Sequence, residues 1–214
     1  MEAKAIIFDF GGVLCNHPPQ KEIDELAALW GLQADEFLKH YWAHRLPYDR
    51  GDLTPEQYWM QFAESAGRSP ADGKLPEVLR RDIHFWLHLQ PRMIAWTRIV
   101  KDAGYRTALL SNLPRSLGEH LLAHCDFMRV FDHLALSYEV RSAKPEQRIY
   151  RYCLEGLGVA PEKAVFLDDR PANIRAAQAL GIYGVLFETV EKFARGEGAH
   201  LNLPGLQLLY EATS

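Results

Sequence analysis

The stretch AIIFDFGGVL at residues 5–14 places four apolar residues directly before Asp9 and a glycine pair. An unbroken apolar run of this length is typical of a strand that is buried on both faces of a parallel sheet. Four further short runs follow, each ending in polar or turn residues. They are TALL at 107–110, HLALS at 133–137, AVFL at 164–167 and YGVLF at 183–187. Together these runs predict a parallel sheet of five strands.

Segments with helical spacing of apolar residues separate the last four of these runs. They cover residues 116–124, 146–157 and 171–180, and PRMIAWTRIVKDA at 91–103 predicts one more helix before the second strand. Gly158 and Gly181 follow two of the segments, where a glycine commonly caps a helix. The alternation of strand and helix predicts a doubly wound, Rossmann-like α/β fold.

The interval from residue 16 to residue 88 interrupts this alternation with helical patterns alone. Its four amphipathic segments are KEIDELAALWGL, ADEFLKHYWAHR, TPEQYWMQFAESAG and PEVLRRDIHFWLHL. Thr54 and Gln57 have the spacing of a capping box, and Pro55 suits the first helical position. We therefore predict an all-helical cap at 16–88, inserted into an α/β core formed by residues 1–15 and 89–214. Tryptophans at helical spacing predict an aromatic core inside the cap.

Composition limits the classes of function. The 214 residues include 24 Lys and Arg and 28 Asp and Glu, which gives a formal charge of −4, and 48% are hydrophobic. This composition is typical of a globular protein, and no basic block offers a footprint for nucleic acid or an anionic membrane. No apolar run reaches the length of a membrane span. Three cysteines at unrelated spacings favour a reducing, cytoplasmic setting. The oligomeric state cannot be predicted from these features.

Polar residues follow the predicted strands where ligands of open α/β sheets bind, beyond the carboxyl ends. Asp9 follows the first strand, Ser111-Asn112 the second and Asp168-Asp169 the fourth, while Lys144 precedes the helix that leads into the fourth. Each residue alone is also typical of a turn, a helix cap or a surface loop. Three aspartates on neighbouring strands would repel one another, however, and a hard divalent cation with oxygen ligands removes that repulsion.

These four segments resemble the motifs of the haloacid dehalogenase superfamily, in the group with a helical cap after the first motif. The first motif is an apolar strand that ends in Asp-x-Asp-Gly-Thr/Val, the second a strand that ends in Ser or Thr, the third a lysine and the fourth an acidic pair. The matching segments are AIIFDFGGVL at 5–14, ALLSN at 108–112, KPEQRIY at 144–150 and VFLDD at 165–169, with Asn173 just beyond. The pattern is similar to small-sugar-phosphate phosphatases and to the phosphatase domain of soluble epoxide hydrolases.

The resemblance implies a Mg²⁺-dependent phosphatase that hydrolyses a small phosphorylated metabolite through an aspartyl-phosphate. Asp9 would be the nucleophile. Mg²⁺ would be bound by Asp9, the main-chain carbonyl of Gly11 and the acidic pair, with Asp169 as a direct ligand and Asp168 as an outer partner.

The resemblance also implies how the substrate is held. Ser111 and the Asn112 amide would donate hydrogen bonds to a phosphoryl oxygen, and Lys144 would neutralise charge on Asp9 and on the phosphoryl group. The cap would supply the contacts that select the substrate. Its polar candidates are Tyr41, His44, Arg45, Tyr48 and Arg50, for which packing or surface roles are equally compatible with the sequence.

One departure from the motif concerns catalysis. The second aspartate of the first motif, which serves family phosphatases as general acid and base, is Gly11 here, and losing a positioned proton donor costs about 10²–10⁴-fold in rate. His17 is a candidate substitute. Two alternatives stay open: a metal-independent 2-haloacid dehalogenase, against which the Asp168-Asp169 pair argues, and a HAD-fold binding protein with weakened catalysis.

Overall fold

The computed structural model describes residues 2–68 and 74–210. Its five strands are β1 Ala5–Phe8, β2 Arg106–Ser111, β3 His133–Leu136, β4 Ala164–Asp168 and β5 Tyr183–Leu186. All neighbouring strands are parallel, in the order β3-β2-β1-β4-β5. The predicted five-stranded, doubly wound sheet is therefore confirmed. The strand order reverses between β1 and β4, which is where ligands bind in folds of this class.

Twelve α-helices occur in the described part of the chain. They are α1 Gln20–Ala28, α2 Ala34–Ala43, α3 Arg45–Asp49, α4 Pro55–Ala66, α5 Leu75–His84, α6 Pro91–Asp102, α7 Arg115–His124, α8 Ser137–Val140, α9 Gln147–Leu157, α10 Pro171–Gln178, α11 Val190–Arg195 and α12 Glu197–His200. Three short 3₁₀ segments lie at Asp126–Val130, Pro161–Lys163 and Leu206–Leu209. None of the helices in residues 2–68 and 74–210 combines the length and apolar character needed to cross a membrane.

The two faces of the sheet are covered by different helices. All four residues of β1 are fully buried, and successive side chains point to opposite faces. Ile6 and Phe8 belong to the larger core cluster, which also contains buried residues of α6, α7 and α11. Ala5 and Ile7 belong to a second cluster, formed largely with α9 and α10. Burial on both sides explains why the strand sequences are continuously apolar rather than alternating.

Helices α1 to α5 lie between β1 and α6 and share an aromatic core. The Trp30 and Trp59 rings stack with centroids 5.6 Å apart, and Phe37 and Phe62 pack against them. The predicted capping box is confirmed, since Thr54 and Gln57 exchange hydrogen bonds of 2.8 and 3.2 Å. These interactions fix a compact helical segment above the sheet.

The chain leaves and re-enters the sheet layer at adjacent points. Cys15 and Leu89 form an antiparallel bridge. On either side of it, Asn16 N–H donates to the His88 carbonyl at 2.7 Å, and Gln90 N–H donates to the Leu14 carbonyl at 2.8 Å. The division into a cap at 16–88 and a core stays our prediction, and this paired crossing is compatible with it.

Several helix limits differ from the predicted ones. The pattern over 34–45 is divided at His44 into α2 and α3, and the pattern that begins at Pro76 ends at His84 rather than Leu89. The four-residue α8, and α11 and α12 near the end of the described chain, were not predicted at all. Segments this short contain little more than one turn, so periodicity cannot reveal them, and their stability comes from tertiary packing.

Candidate functional site

The loop after β1 forms a tight turn under the acidic pair that follows β4. Gly12 N–H donates to the Cys15 carbonyl at 2.7 Å, and the amides of Leu14 and Cys15 donate to the Phe10 carbonyl at 2.9 Å. Gly12 has φ +76°, and a Cβ at this position would lie 2.6 Å from Cγ of Asp169. Only glycine satisfies both constraints. Gly12 therefore permits close contact between two loops that are distant in sequence.

The carboxylate of Asp9 is held by one of its two oxygens. Oδ1 accepts hydrogen bonds from Phe10 N–H at 2.7 Å and Ser111 Oγ at 2.9 Å, and it lies 2.7 Å from Lys144 Nζ. Oδ2 accepts no hydrogen bond from the described residues. Three donors fix the orientation of the carboxylate and leave one oxygen available for another partner.

Lys144 lies between two buried aspartates. Its Nζ is 2.7 Å from Oδ1 of Asp9 and 2.7 Å from Oδ2 of Asp168, and 1% of its side chain is exposed. The Asn112 side chain fixes the lysine main chain: Oδ1 accepts from Lys144 N–H at 2.8 Å, and Nδ2 donates to the Lys144 carbonyl at 2.9 Å. Asn112 therefore positions the lysine through its side chain, a contact that the sequence does not indicate.

The hydrogen-bonding capacity of Asp168 is fully used. Oδ1 accepts from Arg170 N–H at 2.8 Å and from Asn173 Nδ2 at 3.0 Å, while Oδ2 accepts from Asn173 Nδ2 at 3.0 Å and from Lys144 Nζ. The position of Asn173 five residues later, in the first turn of α10, makes this contact possible.

The ionisable groups in this cluster have pKa values that differ from their usual ones. Burial raises the pKa of Asp9 to about 7, although Lys144 opposes the shift. Burial also raises the pKa of Asp168, but the ion pair and hydrogen bonds to Lys144 outweigh it and lower the pKa below the usual value. Burial lowers the pKa of Lys144, but the two aspartates outweigh this effect and raise the pKa above its usual value. The lysine stays charged and shares one positive charge between two carboxylates.

Three carboxylates converge at this edge of the sheet. Asp9, Asp168 and Asp169 each place one oxygen within 4.8 Å of the others. The register explains the convergence, because Phe8 pairs with Leu167 and the next residues are Asp9 and Asp168. One lysine neutralises only part of the charge on the three carboxylates. Their oxygens therefore fit a hard divalent cation, which prefers oxygen ligands. His17 is a neighbour of this cluster: its Nε2 lies 3.0 Å from Oδ2 of Asp169.

A cavity of about 600 Å³ lies over these residues. All residues predicted for the site except Asp168 line it, namely Asp9, Gly11, Ser111, Asn112, Lys144 and Asp169, and so does His17. Asp168 lies behind Lys144 and is fully buried. The seven predicted residues are thus brought together, although their chemical roles stay predictions.

Among the five polar cap candidates, only Arg45 lines the cavity. It is buried and forms ion pairs with Asp49 at 2.8 Å and Asp82 at 3.1 Å. Tyr41 and Tyr48 are buried in the aromatic packing, and Arg50 pairs with acidic residues at the surface. Other residues that line the cavity were not predicted for the site. They include Trp42, Leu46, Asp49 and Trp86, from the segment between β1 and α6, and Arg170, which follows β4.

The indole of Trp86 lies over Gly11. A Cβ on residue 11 would be 3.3 Å from Cζ3 of Trp86, a distance shorter than most Cβ contacts. Trp86 Nε1 donates to the hydroxyl of Tyr41 at 3.0 Å, which anchors the ring. The space above residue 11, where the motif usually has a carboxylate, is therefore bordered by an aromatic ring.

The chain is similar to several characterised proteins. It is 25% identical over 202 residues to a D-ribitol-5-phosphate phosphatase from Bacteroides thetaiotaomicron, covering 88% of this chain and 91% of that protein. It is also 25% identical to a sesquiterpene phosphatase from Aspergillus oryzae, covering 85% of this chain and 88% of that protein. A drimenol cyclase from Aspergillus calidoustus is 27% identical over 197 residues, but the chain spans only 35% of its length.

Solved structures have the same fold. A HAD family enzyme from Bacteroides thetaiotaomicron, in complex with magnesium and inorganic phosphate, superposes with a TM-score of 0.71 at 23% identity, covering 86% of this chain and 93% of that one. The family model described as "haloacid dehalogenase-like hydrolase" matches residues 3–181. The fold, the converging motif residues and this match lead to one conclusion: the chain belongs to the haloacid dehalogenase-like hydrolases and is an enzyme of that family.

Proposed function

We propose that the protein is a Mg²⁺-dependent phosphatase that hydrolyses small phosphomonoesters through a phosphorylated Asp9. The observation that carries this proposal is the carboxylate of Asp9, which has one oxygen fixed by three donors and the other available at the cavity. Oriented carboxylates of this kind act as nucleophiles in covalent phosphoryl transfer. The phosphatases of ribitol phosphate and of sesquiterpenes among the relatives support the same reaction class.

The metal would be held by the carboxylates of Asp9 and Asp169 and by the main-chain carbonyl of Gly11. When bound, Mg²⁺ supplies charge that offsets the repulsion between a carboxylate nucleophile and a phosphate. The side chain of Asp168 has its hydrogen bonds satisfied by Lys144, Arg170 and Asn173. We therefore assign Asp168 the role of fixing Lys144, next to the ion rather than in direct contact with it.

In the first step, Oδ2 of Asp9 attacks phosphorus while the bond from phosphorus to the ester oxygen breaks. Ser111 and Lys144 already contact Oδ1 of the nucleophile, so they are placed to donate to the phosphoryl oxygens beside it. The departing alkoxide takes a proton. Water then attacks the phosphorus of the aspartyl-phosphate, releasing inorganic phosphate and restoring Asp9.

The source of the leaving-group proton distinguishes this chain from the family motif. Gly11 cannot donate, and the nearest candidate at the rim is His17, which is hydrogen bonded to Asp169 at 3.0 Å. We therefore expect the enzyme to favour substrates with good leaving groups, for which a proton donor contributes least. The three free cysteines support a cytoplasmic setting for this reaction.

The experiment is to measure phosphate release from acetyl phosphate and a panel of sugar phosphates, with Mg²⁺ and after removal of metal. Acetate is a good leaving group, so the test does not depend on a general acid. We expect Mg²⁺-dependent release from wild type and none from Asp9→Asn. Trapping with beryllofluoride and mass spectrometry should detect the adduct at Asp9 in wild type only. Full turnover by Asp9→Asn would exclude Asp9 as nucleophile.

Two alternatives rest on Gly11. A 2-haloacid dehalogenase would release halide without metal, and a binding protein that has lost catalysis would release phosphate from none of these compounds. Both assays use the same purified chain. Halide release that is unaffected by a chelator, or binding of phosphate without any turnover, would replace the phosphatase proposal by one of these alternatives.

A further inference from the structure

The cavity over Asp9 is lined by apolar side chains as well as by the carboxylates. We define the apolar wall as the side chains of Trp42, Leu46, Trp86, Leu113 and Leu117, all of which line the cavity. Trp42 and Leu46 are 40% and 45% exposed, whereas Trp86, Leu113 and Leu117 are buried. Apolar side chains that line a cavity offer a binding surface for an apolar group.

Several polar side chains that line the same cavity are occupied by other residues, and the guanidinium of Arg170 lies over the Trp42 ring, 5.4 Å from its centroid. Arg45 forms buried ion pairs with Asp49 at 2.8 Å and with Asp82 at 3.1 Å, so its guanidinium is already paired. Both side-chain atoms of Asn112 bond to the main chain of Lys144, and Asn173 bonds to Asp168. A ligand rich in hydroxyl groups would have to break these bonds or leave its own hydroxyls unpaired, and either event costs free energy.

The side chain at position 11 affects both the apolar wall and the catalytic residues. An aspartate at that position would place its Cβ 3.3 Å from Cζ3 of Trp86 and would direct a charged group to the boundary of the wall. Glycine avoids this contact and lets the largely buried Trp86 ring pack against residue 11. The same substitution that removes the proton donor therefore places an apolar ring two residues from Asp9.

From these contacts we infer that the substrate is a phosphomonoester whose organic group is apolar, a hydrocarbon or an aromatic ring, rather than a sugar or polyol. This inference deepens the proposed function and rests on it for the position of the phosphate. The phosphoryl group would lie at Asp9, Ser111 and Lys144, and the organic group would lie along the apolar wall. A cavity of about 600 Å³ is within the usual range for small organic ligands.

The test is calorimetric binding of methyl- to hexylphosphonate in the presence of Mg²⁺. These compounds have the same head group and cannot be hydrolysed, so the series measures the organic group alone. Each methylene that contacts the wall should lower Kd about fourfold. Propylphosphonate should also bind more tightly than 2,3-dihydroxypropylphosphonate. A Kd that stays flat along the series, or tighter binding of the dihydroxy compound, would overturn the inference.

Two leucines provide a matched pair of variants. Leu46 belongs to the apolar wall and is 45% exposed, whereas Leu122 on α7 is 44% exposed and does not line the cavity. Leu46→Ala should raise the Kd of hexylphosphonate about fivefold and that of methylphosphonate much less. Leu122→Ala should leave the whole series unchanged. Equal increases in Kd for the two variants would show that the loss of affinity does not arise at the apolar wall.

The outcome of the phosphonate series does not depend on the outcome of the acetyl phosphate assay. If acetyl phosphate is not hydrolysed but Kd falls with chain length, the proposed phosphatase activity is wrong and the preference for an apolar ligand stands. If acetyl phosphate is hydrolysed at a rate that depends on Mg²⁺ and Kd does not fall, the phosphatase stands and the inferred substrate class is wrong.

Discussion

Replacing Lys144 by methionine removes the only side-chain cation that contacts Asp9 and Asp168 among the described residues. Both Nζ distances are 2.7 Å and the lysine is 3% exposed, so neither carboxylate can recover a full water shell. Removing one partner of a buried ion pair costs about 3–5 kcal/mol. Asp168 keeps its bonds to Arg170 and Asn173, and Asp9 can take up a proton, so we expect a loss near the lower limit.

The predicted loss depends on pH, and its sign follows from proton linkage. Burial places the folded-state pKa of Asp9 above its unfolded value, and removing Lys144 takes away the cation that opposes this shift. A group of this kind contributes stability at low pH and loses it as pH rises through the folded pKa. The pKa of Asp9 is raised to about 7 even with Lys144 present, so the deficit of Lys144→Met should be larger at pH 8 than at pH 5.

The assay is urea unfolding of wild type and Lys144→Met with a chelator, at both pH values. Lys21→Met is the control, because the Lys21 side chain is 86% exposed and its pairing at 3.8 Å is at the surface. Surface pairs contribute about 0–1 kcal/mol. Adding Asp168→Asn to Lys144→Met should restore part of the lost stability, since it removes one unpaired charge. If Lys144→Met unfolds like the control at pH 8, the lysine does not bear the electrostatic role assigned to it.

Three further predictions concern the loop after β1. In Gly12→Ala, the new methyl group lies 2.6 Å from Cγ of Asp169 at φ +76°, so we expect a stability loss of about 1–3 kcal/mol in urea unfolding and weaker Mg²⁺ binding by calorimetry. Unchanged Mg²⁺ binding would contradict the predicted contact. Gly11→Asp supplies a proton donor, so turnover of an alkyl phosphate should increase relative to acetyl phosphate, by less than the full ~10²–10⁴-fold because Trp86 must move. A folded variant with an unchanged ratio would mean that another group already donates the proton. Burial raises the pKa of Asp9 to about 7, so Mg²⁺ binding should release a proton at pH 6 and none at pH 8.5, measured by calorimetry in buffers of different ionisation enthalpy. Equal proton release at both pH values is the contrary result.

Local sequence patterns are sufficient to predict the sheet and the members of the acidic cluster. A strand buried on both faces must be apolar throughout, so the five runs could be recognised from local sequence. The carboxyl ends of parallel strands lie at one edge, so Asp9, Ser111 and Asp168 could be expected to approach one another before any coordinates were known. The capping box at Thr54 is equally local, because both partners lie within one helical turn.

The contacts among these residues, and the side chains that cover them, depend on the packing of segments that are distant in sequence. The bridging position of Lys144, and the Asn112 side chain that fixes its main chain, depend on a loop that crosses to a neighbouring strand. The placement of Trp42 and Trp86 in the lining of the cavity depends on how the helices after β1 pack on the core. Such contacts join residues separated by tens of positions, and side-chain periodicity holds no information about them. The apolar wall of the cavity could therefore not be predicted from the sequence.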